Sequence, residues 1–287
     1  MKLTAYLKIA LQYLVPHHLY SRFTAKLAHA THRGFKNWSI RRFIRIYQVN
    51  LSEAVETDIE KYQNLNSFFI RHLKPGLRPW VKDPHQVGSP VDGVVSQFGM
   101  IQQERLIQAK KHDYTLEELL AGDDSARYFY NGKYATLYLA PRHYHRVHMP
   151  IKGTLREMIY VPGQLFSVNQ ATASAIPKLF ARNERVITLF DTAYGEMAVI
   201  LVGAMIVNGI HISWHGDVAP SSQNKIQRWK YSYEDSPAIT LNAGDELGYF
   251  KFGSTVIVLF SENRDLSLAN LTENSEIKLG ELLATYL

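Results

Sequence analysis

Three short segments of the sequence hold the side chains best suited to catalysis. Asp92 lies in a Pro-Val-Asp-Gly run, residues 142–148 (the histidine segment) hold three histidines and two arginines, and Ser254 follows Gly253 ahead of an apolar run. A serine hydroxyl becomes a good nucleophile when a histidine takes its proton, and a carboxylate orients that histidine. The segments therefore supply the parts of a charge-relay triad, although their spacing does not show that the parts meet.

The histidine segment is open to several interpretations. In an extended strand, His143 and His145 would share one face and His148 would point to the other. Metal ligation, acid–base catalysis and anion binding with Arg142 and Arg146 all suit these residue types. Three such ligands are typical of a catalytic zinc site. A polar exposed strand without a catalytic role is the remaining alternative.

The serine segment carries little information when it is considered alone. Gly253, Ser254 and Thr255 indicate only a turn that enters a strand. The pattern is not the Gly-x-Ser-x-Gly elbow of the α/β-hydrolases, because the position that would need the second glycine is Val256. The chain contains no cysteine, which excludes disulfides, thiolate metal sites and cysteine nucleophiles.

The elements that must position these residues are mostly strands. Helices are predicted near residues 115–121, where Thr115 caps the first turn and Glu118 follows three residues later, and near residues 281–284. The whole pattern predicts an α+β fold, in which amphipathic N-terminal helices precede a mostly antiparallel β-sandwich or barrel-like core. Strands are predicted from short β-branched and aromatic runs at 91–97, 134–139, 186–190, 198–206 and 255–260.

The N-terminal 50 residues differ in charge from the rest of the chain. They contain nine lysines and arginines and no aspartate or glutamate, while the whole chain of 287 residues has a net charge of +6. Pro16 ends or kinks the first of the helices predicted there. Amphipathic helices in the interface of an anionic membrane and a helical cap on the core are both compatible with this pattern. Apolar residues recur at helical spacing at 3, 7, 11 and 14, at 19, 23 and 27, and at 40, 43, 44 and 47.

Membrane spanning, nucleic-acid binding and secretion have less support in the sequence. No run approaches the roughly 18 to 20 apolar residues that are needed to span a bilayer. No nucleic-acid-binding motif accompanies the basic residues. The apolar N-terminal run is interrupted and lacks a small-residue cleavage site, so we expect it to be retained rather than removed as a secretory signal.

Several longer motifs occur together along most of the chain. They lie at residues 66–71, 89–94, 144–150, 160–163, 165–169, 180–185 and 252–255. In these motifs the sequence resembles the bacterial phosphatidylserine decarboxylases, a family of pyruvoyl-dependent enzymes. The one visible departure is Phe252, where the family usually carries leucine.

The resemblance implies an ordered pair of reactions at Ser254. Asp92, His148 and Ser254 would form a triad that cleaves the bond between Gly253 and Ser254, giving chains of residues 1–253 and 254–287. Ser254 would become a pyruvoyl group that forms a Schiff base with the amine of phosphatidylserine, with no metal. His145 would serve as the proton donor when carbon dioxide has left and phosphatidylethanolamine forms.

The resemblance also implies how the substrate and partners bind. Tyr138, Ser167 and Asn169 are candidate contacts for the lipid headgroup. Residues 1–65 would form a helical membrane-associating region and residues 66–287 a catalytic β-rich domain. We expect a homodimer of cleaved chain pairs, attached peripherally to the cytoplasmic side of the cell membrane and its anionic surface. A zinc hydrolase that uses the three histidines, and a non-enzymatic membrane-surface module, are the alternatives.

Overall fold

The computed structural model describes residues 12–13, 16–109, 112–204, 209–219, 224–231, 238–251, 253–268 and 270–287. The leucines at 3, 7, 11 and 14, the last two residues of the strand predicted at 198–206, and Phe252 lie outside these ranges.

Helices occupy the N-terminal region and several connections between strands. Pro16 stands immediately before the first described full helix, in agreement with the expected break in the helical pattern. Thr115 and Glu118 form the predicted capping box. Short 3-10 helices lie at Leu51–Glu53, Ile59–Lys61 and Asp124–Phe129. The described α-helices are α1 (His17–Ala28), α2 (Arg33–Tyr47), α3 (Leu65–Phe69), α4 (Leu116–Leu119), α5 (Gln170–Ala173) and α6 (Leu179–Arg182).

Strands make up most of the remaining chain. Those before residue 200 begin with β1 (Gln86–Gly88), β2 (Gly93–Met100), β3 (Arg105–Ala109), β4 (His112–Thr115), β5 (Lys133–Leu139), β6 (Arg146–His148), β7 (Gly153–Val161), β8 (Arg185–Thr192) and β9 (Gly195–Val202). The later ones are β10 (Ile210–Ile212), β11 (Gly216–Ala219), β12 (Gln227–Lys230), β13 (Thr240–Leu241), β14 (Glu246–Phe250), β15 (Ser254–Phe260), β16 (Leu266–Ser267), β17 (Glu276–Ile277) and β18 (Leu282–Tyr286).

The strands form antiparallel sheets. The largest has the order β12-β7-β8-β9-β15-β5-β2-β17, and β13 also pairs with β7. A second sheet has the order β11-β10-β14-β6, a third has the order β1-β18-β16, and β3 pairs with β4. The α+β class with a mostly antiparallel core is confirmed. Within the described ranges the sheets stack like a sandwich and do not close into a barrel.

The largest sheet has an apolar core on each face. Ile257 and Leu259 of β15 join the first core, which also contains residues of the helices. Val256 and Val258 join the second core, which the sheet containing β6 and β14 covers. Because successive side chains of a strand point to opposite faces, Ser254 faces the second core. The first residue of β15 therefore points toward the layer that carries the histidine segment.

Candidate active site

Ser254 lies where the chain enters the centre of the largest sheet. It is fully buried, its Cα pairs with that of Leu139 in β5, and its Oγ has no hydrogen-bond partner in the described part of the chain. A Cβ atom built on Gly253 would meet nothing within 4 Å, so the peptide before Ser254 is open to close approach. The φ angle of Gly253 is not positive, so the role of this glycine is space rather than an unusual backbone conformation.

Two histidines bond to the main chain of Ala140, the residue after Leu139. His143 Nδ1 accepts a hydrogen bond of 3.0 Å from the Ala140 N–H, and His145 Nε2 donates one of 3.1 Å to the Ala140 carbonyl. Because Leu139 pairs with Ser254, both rings bond to the residue that follows the strand partner of Ser254. His143 and His145 do not share the face of a strand, as the sequence had suggested, because β6 begins only at Arg146.

Burial keeps both of these imidazoles neutral. It lowers the pKa of His143 to about 4. The pKa of His145 lies well below its usual range, first because of burial and then because of the nearby charge of Arg71. With its Nε2–H donated to Ala140, His145 has an unprotonated Nδ1, and this atom has no partner among the described residues. His145 is therefore a neutral ring with one buried nitrogen lone pair that no described residue engages.

Helix α3 and the residues after it hold the histidine segment in place. The Phe69 ring stacks on His145 with ring centroids 4.0 Å apart. Arg146 Nε donates a hydrogen bond of 3.0 Å to the Ile70 carbonyl. The sequence signal for this contact was the motif at 66–71, but an apolar residue such as Phe69 indicates only a core position and received no chemical role from the sequence.

His148 is engaged away from Ser254. Its Nδ1 donates to the Gly244 carbonyl at 2.8 Å, and its Nε2 accepts from the Tyr144 hydroxyl at 3.3 Å. It pairs with Glu246 across β6 and β14. Burial lowers the pKa of His148, so this ring is also neutral and can serve as a base once its present bonds are exchanged.

Asp92 is held by an arginine. Arg78 donates from Nε to Asp92 Oδ1 at 2.9 Å and from Nη2 to Oδ2 at 2.7 Å. Asp92 Oδ1 also accepts from the Leu279 N–H at 2.8 Å, and Arg78 reaches Glu53 at 2.6 Å. Both carboxylate oxygens are thus satisfied, and the ion pairs raise the pKa of Arg78.

The structure does not join Asp92, His148 and Ser254 by hydrogen bonds. The described partners of Asp92 are Arg78 and Leu279, those of His148 are Gly244 and Tyr144, and the Ser254 hydroxyl has none. In this uncleaved chain the histidines nearest to the end of β5 are His143 and His145. The triad remains a prediction that needs a rearrangement of His148.

A polar cavity adjoins these residues. Its volume is about 200 Å³, and its lining contains both charges of the pair formed by Arg78 and Asp92. Arg142, His143 and Lys278 also line it. A cavity of this composition can admit a charged group next to the histidine segment.

The candidate headgroup contacts lie elsewhere on the sheet. Tyr138 pairs with Thr255 and, by the alternation along the strand, points to the face opposite Ser254. Asn169 Nδ2 donates to Ser167 Oγ at 2.9 Å, and Asn169 Oδ1 accepts from the Thr172 N–H and so caps α5. These bonds give Ser167 and Asn169 a structural role in the uncleaved chain, and none of them reaches Ser254.

The described residues contain neither a cluster of metal ligands nor a membrane-spanning helix. Among the described residues, no group of three or more histidine, aspartate or glutamate side chains is placed to hold a metal ion. In the same ranges, every helix is too short or too polar to cross a bilayer.

The sequence matches known families along nearly its whole length. A family model described as phosphatidylserine decarboxylase matches residues 65–285, and another described as PSD matches residues 7–48. A protein of Idiomarina loihiensis called phosphatidylserine decarboxylase proenzyme is 47% identical over 285 residues, which cover 99% of this chain and 98% of that protein. Proteins of the same name from Pseudomonas putida and Shewanella loihica are each 50% identical, over 274 residues (95% of both chains) and 280 residues (97% of this chain, 98% of the relative).

Proposed function

This chain belongs to the phosphatidylserine decarboxylase family, and we propose that it matures by cutting itself between Gly253 and Ser254 into a pyruvoyl enzyme. Its activity is the conversion of phosphatidylserine to phosphatidylethanolamine and carbon dioxide. The observation that carries the self-cleavage proposal is the buried hydroxyl of Ser254, which has no partner among the described residues, beside an uncrowded glycine.

The cleavage needs only groups of this chain and one water molecule. Ser254 Oγ attacks the Gly253 carbonyl carbon, and the peptide becomes an ester. Loss of the Ser254 α-proton then expels the Gly253 carboxylate, and hydrolysis of the resulting dehydroalanine releases ammonia. We assign the proton transfer from Ser254 to His148, with Asp92 as its orienting carboxylate. The lowered pKa of His148 supports this role, since a neutral imidazole can accept a proton.

The second reaction takes place where Ser254 stood. The pyruvoyl group would supply an electron-withdrawing carbonyl that takes up the electron pair left when carbon dioxide departs. We assign to His145 the return of a proton to the α-carbon of the lipid amine. Its Nδ1, which has no partner among the described residues, supports this role, because a ring nitrogen without other bonds is available for proton transfer. Tyr138, Ser167 and Asn169 remain proposed headgroup contacts, and Ser167 and Asn169 would have to exchange their present bonds.

The N-terminal helices would bring the site to the lipid. A substrate with two acyl chains stays in the bilayer, so the enzyme must work at the membrane surface. The division into residues 1–65 and 66–287, the homodimer and attachment at the cytoplasmic face belong to the same proposal. Helices α1 and α2 expose the apolar residues Leu19, Tyr20, Phe23, Leu27, Trp38, Ile46 and Tyr47 and the basic residues Arg22, Lys26, Arg41, Arg42 and Arg45, which supports peripheral attachment.

Intact mass spectrometry of the purified protein tests the self-cleavage directly. The wild type should give chains of residues 1–253 and 254–287, with the smaller chain blocked at its N-terminus and reactive toward borohydride. A Ser254→Ala variant should remain one chain and release no carbon dioxide from phosphatidylserine vesicles. Ser261→Ala, which changes a buried serine just beyond the other end of β15, should be cleaved like the wild type. A wild-type protein that decarboxylates while it remains uncut would refute the proposal.

A further inference from the structure

Several buried polar atoms of the described residues have no hydrogen-bond partner, and some of them belong to the candidate active site or to residues that contact it. Among the described residues they include Nε and Nη1 of Arg71, Nδ1 of His145 and the hydroxyls of Ser254 and Thr255. In native proteins roughly 90% or more of buried polar groups have a partner. An unpaired charged donor is the most costly of these groups, so the surroundings of Arg71 require an explanation.

The guanidinium of Arg71 is buried but only partly bonded. Arg71 is 5% exposed, and its Nη2 donates to the carbonyls of Arg142 and His143 at 3.2 and 3.4 Å. Its Cζ lies 5.4 Å from the Phe68 ring centroid. It forms no ion pair with a described residue, and Nε and Nη1 have no acceptor there.

Other buried arginines in this protein do not share this feature. Arg185 is 2% exposed, and all three of its nitrogens donate to main-chain carbonyls, including those of Leu119 and Ala181. Arg146 is paired with both carboxylate oxygens of Glu246 at 2.8 Å. Arg185 is thus fully hydrogen-bonded and Arg146 has a carboxylate partner, whereas Arg71 has neither among the described residues.

Arg71 lies one short loop from the reacting position. It binds the His143 carbonyl, while the His143 ring bonds to Ala140, the residue after the strand partner of Ser254. The side of the loop formed by Arg142 and His143 also lines the cavity of about 200 Å³. The charge of Arg71 additionally lowers the pKa of His145.

We propose that Arg71 binds an anionic oxygen group of the lipid headgroup and so positions the amine of the substrate next to residue 254. The inference rests on the proposed function, in which the headgroup amine reacts at that residue. The serine headgroup carries two anionic groups within a few bonds of the amine, a carboxylate and a phosphodiester, and a guanidinium is well matched to either one.

Two soluble headgroups separate the carboxylate from the phosphodiester. Glycerophosphoserine carries both anions, whereas glycerophosphoethanolamine lacks the carboxylate. Each would be tested as an inhibitor of carbon dioxide release from phosphatidylserine by wild type, Arg71→Gln and Arg71→Lys, after intact mass spectrometry has established the cleaved fraction. We expect the apparent inhibition constant of glycerophosphoserine to rise at least about tenfold in Arg71→Gln and less in Arg71→Lys, which keeps the charge.

The pattern across the two inhibitors identifies the anion. An equal loss of affinity for both assigns Arg71 to the phosphodiester, and a loss confined to glycerophosphoserine assigns it to the carboxylate. Arg185→Lys is the matched control, and it should lower the unfolding temperature while both inhibition constants stay as in the wild type.

Several outcomes overturn the inference. One is a cleaved Arg71→Gln protein that binds both inhibitors like the wild type. Another is that both Arg71 variants stay uncut, because Arg71 would then serve self-cleavage or folding rather than substrate binding. If instead the wild type itself stays uncut or releases no carbon dioxide, the proposed function fails first, and this result is distinct from a failure at Arg71.

Discussion

His145 and His148 stand three positions apart in the sequence but occupy different environments. His145 is enclosed between the Phe69 ring and the Ala140 carbonyl, with one nitrogen unpartnered. His148 has both nitrogens bonded, to Gly244 and Tyr144. Different environments in one short segment are what two successive reactions with separate proton transfers would require.

Single substitutions should separate the two reactions. We expect His148→Asn to leave nearly all of the chain uncut, because the Ser254 hydroxyl loses its base. We expect His145→Asn to be cut but to release carbon dioxide at least about 100-fold more slowly, which is the usual scale of one general acid–base group. Intact mass and carbon dioxide release measure the two effects, with His85→Asn, an exposed histidine, as control. If His145→Asn stays uncut and His148→Asn is cut, the two roles are reversed.

The pair formed by Arg78 and Asp92 should be important for stability as well as for cleavage. Asp92 is 6% exposed, so Arg78→Gln would leave a buried carboxylate without its cation. Loss of one partner of a buried ion pair costs about 3–5 kcal/mol, so we expect the free energy of unfolding to fall by this amount. Urea denaturation would measure it. Arg142→Gln breaks an exposed pair with Glu276 and should cost less than about 1 kcal/mol. Equal losses in the two variants would contradict the buried role of Arg78.

The sequence pointed to candidate reactive residues more readily than to their neighbours. Asp92, His145, His148 and Ser254 were named through the family resemblance, and their roles stay predictions. The ion pair between Arg78 and Asp92 could not be predicted. It joins residues from separate segments, and their approach depends on the packing of the whole domain. The contact of Phe69 with His145 was hidden for another reason, since an apolar ring in a helix indicates only a core position.

At the scale of elements, β15 begins at the proposed cleavage site and lies at the centre of the largest sheet. Its register with β5 is continuous from Ser254 to Phe260, and β9 pairs along its other side. Further along residues 254–287, β17 pairs with β2 and β18 pairs with β1. After the proposed cleavage, the smaller chain would therefore be attached to the larger one on several edges at once.

The two chains should consequently stay together in a native separation and come apart in a denaturing one. We expect both chains to elute together in gel filtration at neutral pH, because β15 contributes a fully buried row of apolar side chains to both cores. They should separate only in denaturant, where the sheet is lost. A free chain of residues 254–287 under native conditions would contradict this arrangement, and the uncut Ser254→Ala protein provides the reference elution volume.

The predictions for individual elements were uneven, for physical reasons. The capping box at Thr115 was predicted because its signal is local. The helix expected at 281–284 was wrong, since these residues lead into and form β18, which pairs with β1 and β16. Local composition does not report such pairing, because strand formation depends on the neighbouring strands. Phe252 cannot be assessed in this way, because it lies outside the described residues.

At the scale of the whole molecule, the N-terminal helices are continuous with the active-site packing. The Phe43 ring of α2 meets the Phe69 ring with centroids 5.9 Å apart, and Phe69 stacks on His145. Lys36 of α2 donates to the Glu60 and Tyr62 carbonyls at 2.7 Å each, so this basic residue serves the core rather than a membrane. The sequence left open whether these helices cap the core or bind a membrane, and α2 packs its inner face while it exposes Trp38 on the outside.

Vesicle binding tests the outer face of α1. Leu19 and Phe23 are 66% and 60% exposed, and transfer of such side chains into an apolar phase is worth about 2 kcal/mol each. The double variant Leu19→Ser/Phe23→Ser should therefore lose most of its binding to phosphatidylserine vesicles in co-sedimentation, while self-cleavage proceeds normally. Decarboxylation of vesicle lipid should fall in parallel, and that of a soluble short-chain phosphatidylserine should not.

A matched control separates the membrane face from exposed apolar surface in general. Ile107 of β3 is 52% exposed and lies outside the N-terminal helices, so Ile107→Ser should bind vesicles like the wild type. Raising the salt concentration should weaken wild-type binding further, because the exposed arginines and lysines of α1 and α2 are screened. Equal binding by the wild type and the double variant would remove α1 from the interface, and the two apolar residues would then need another partner.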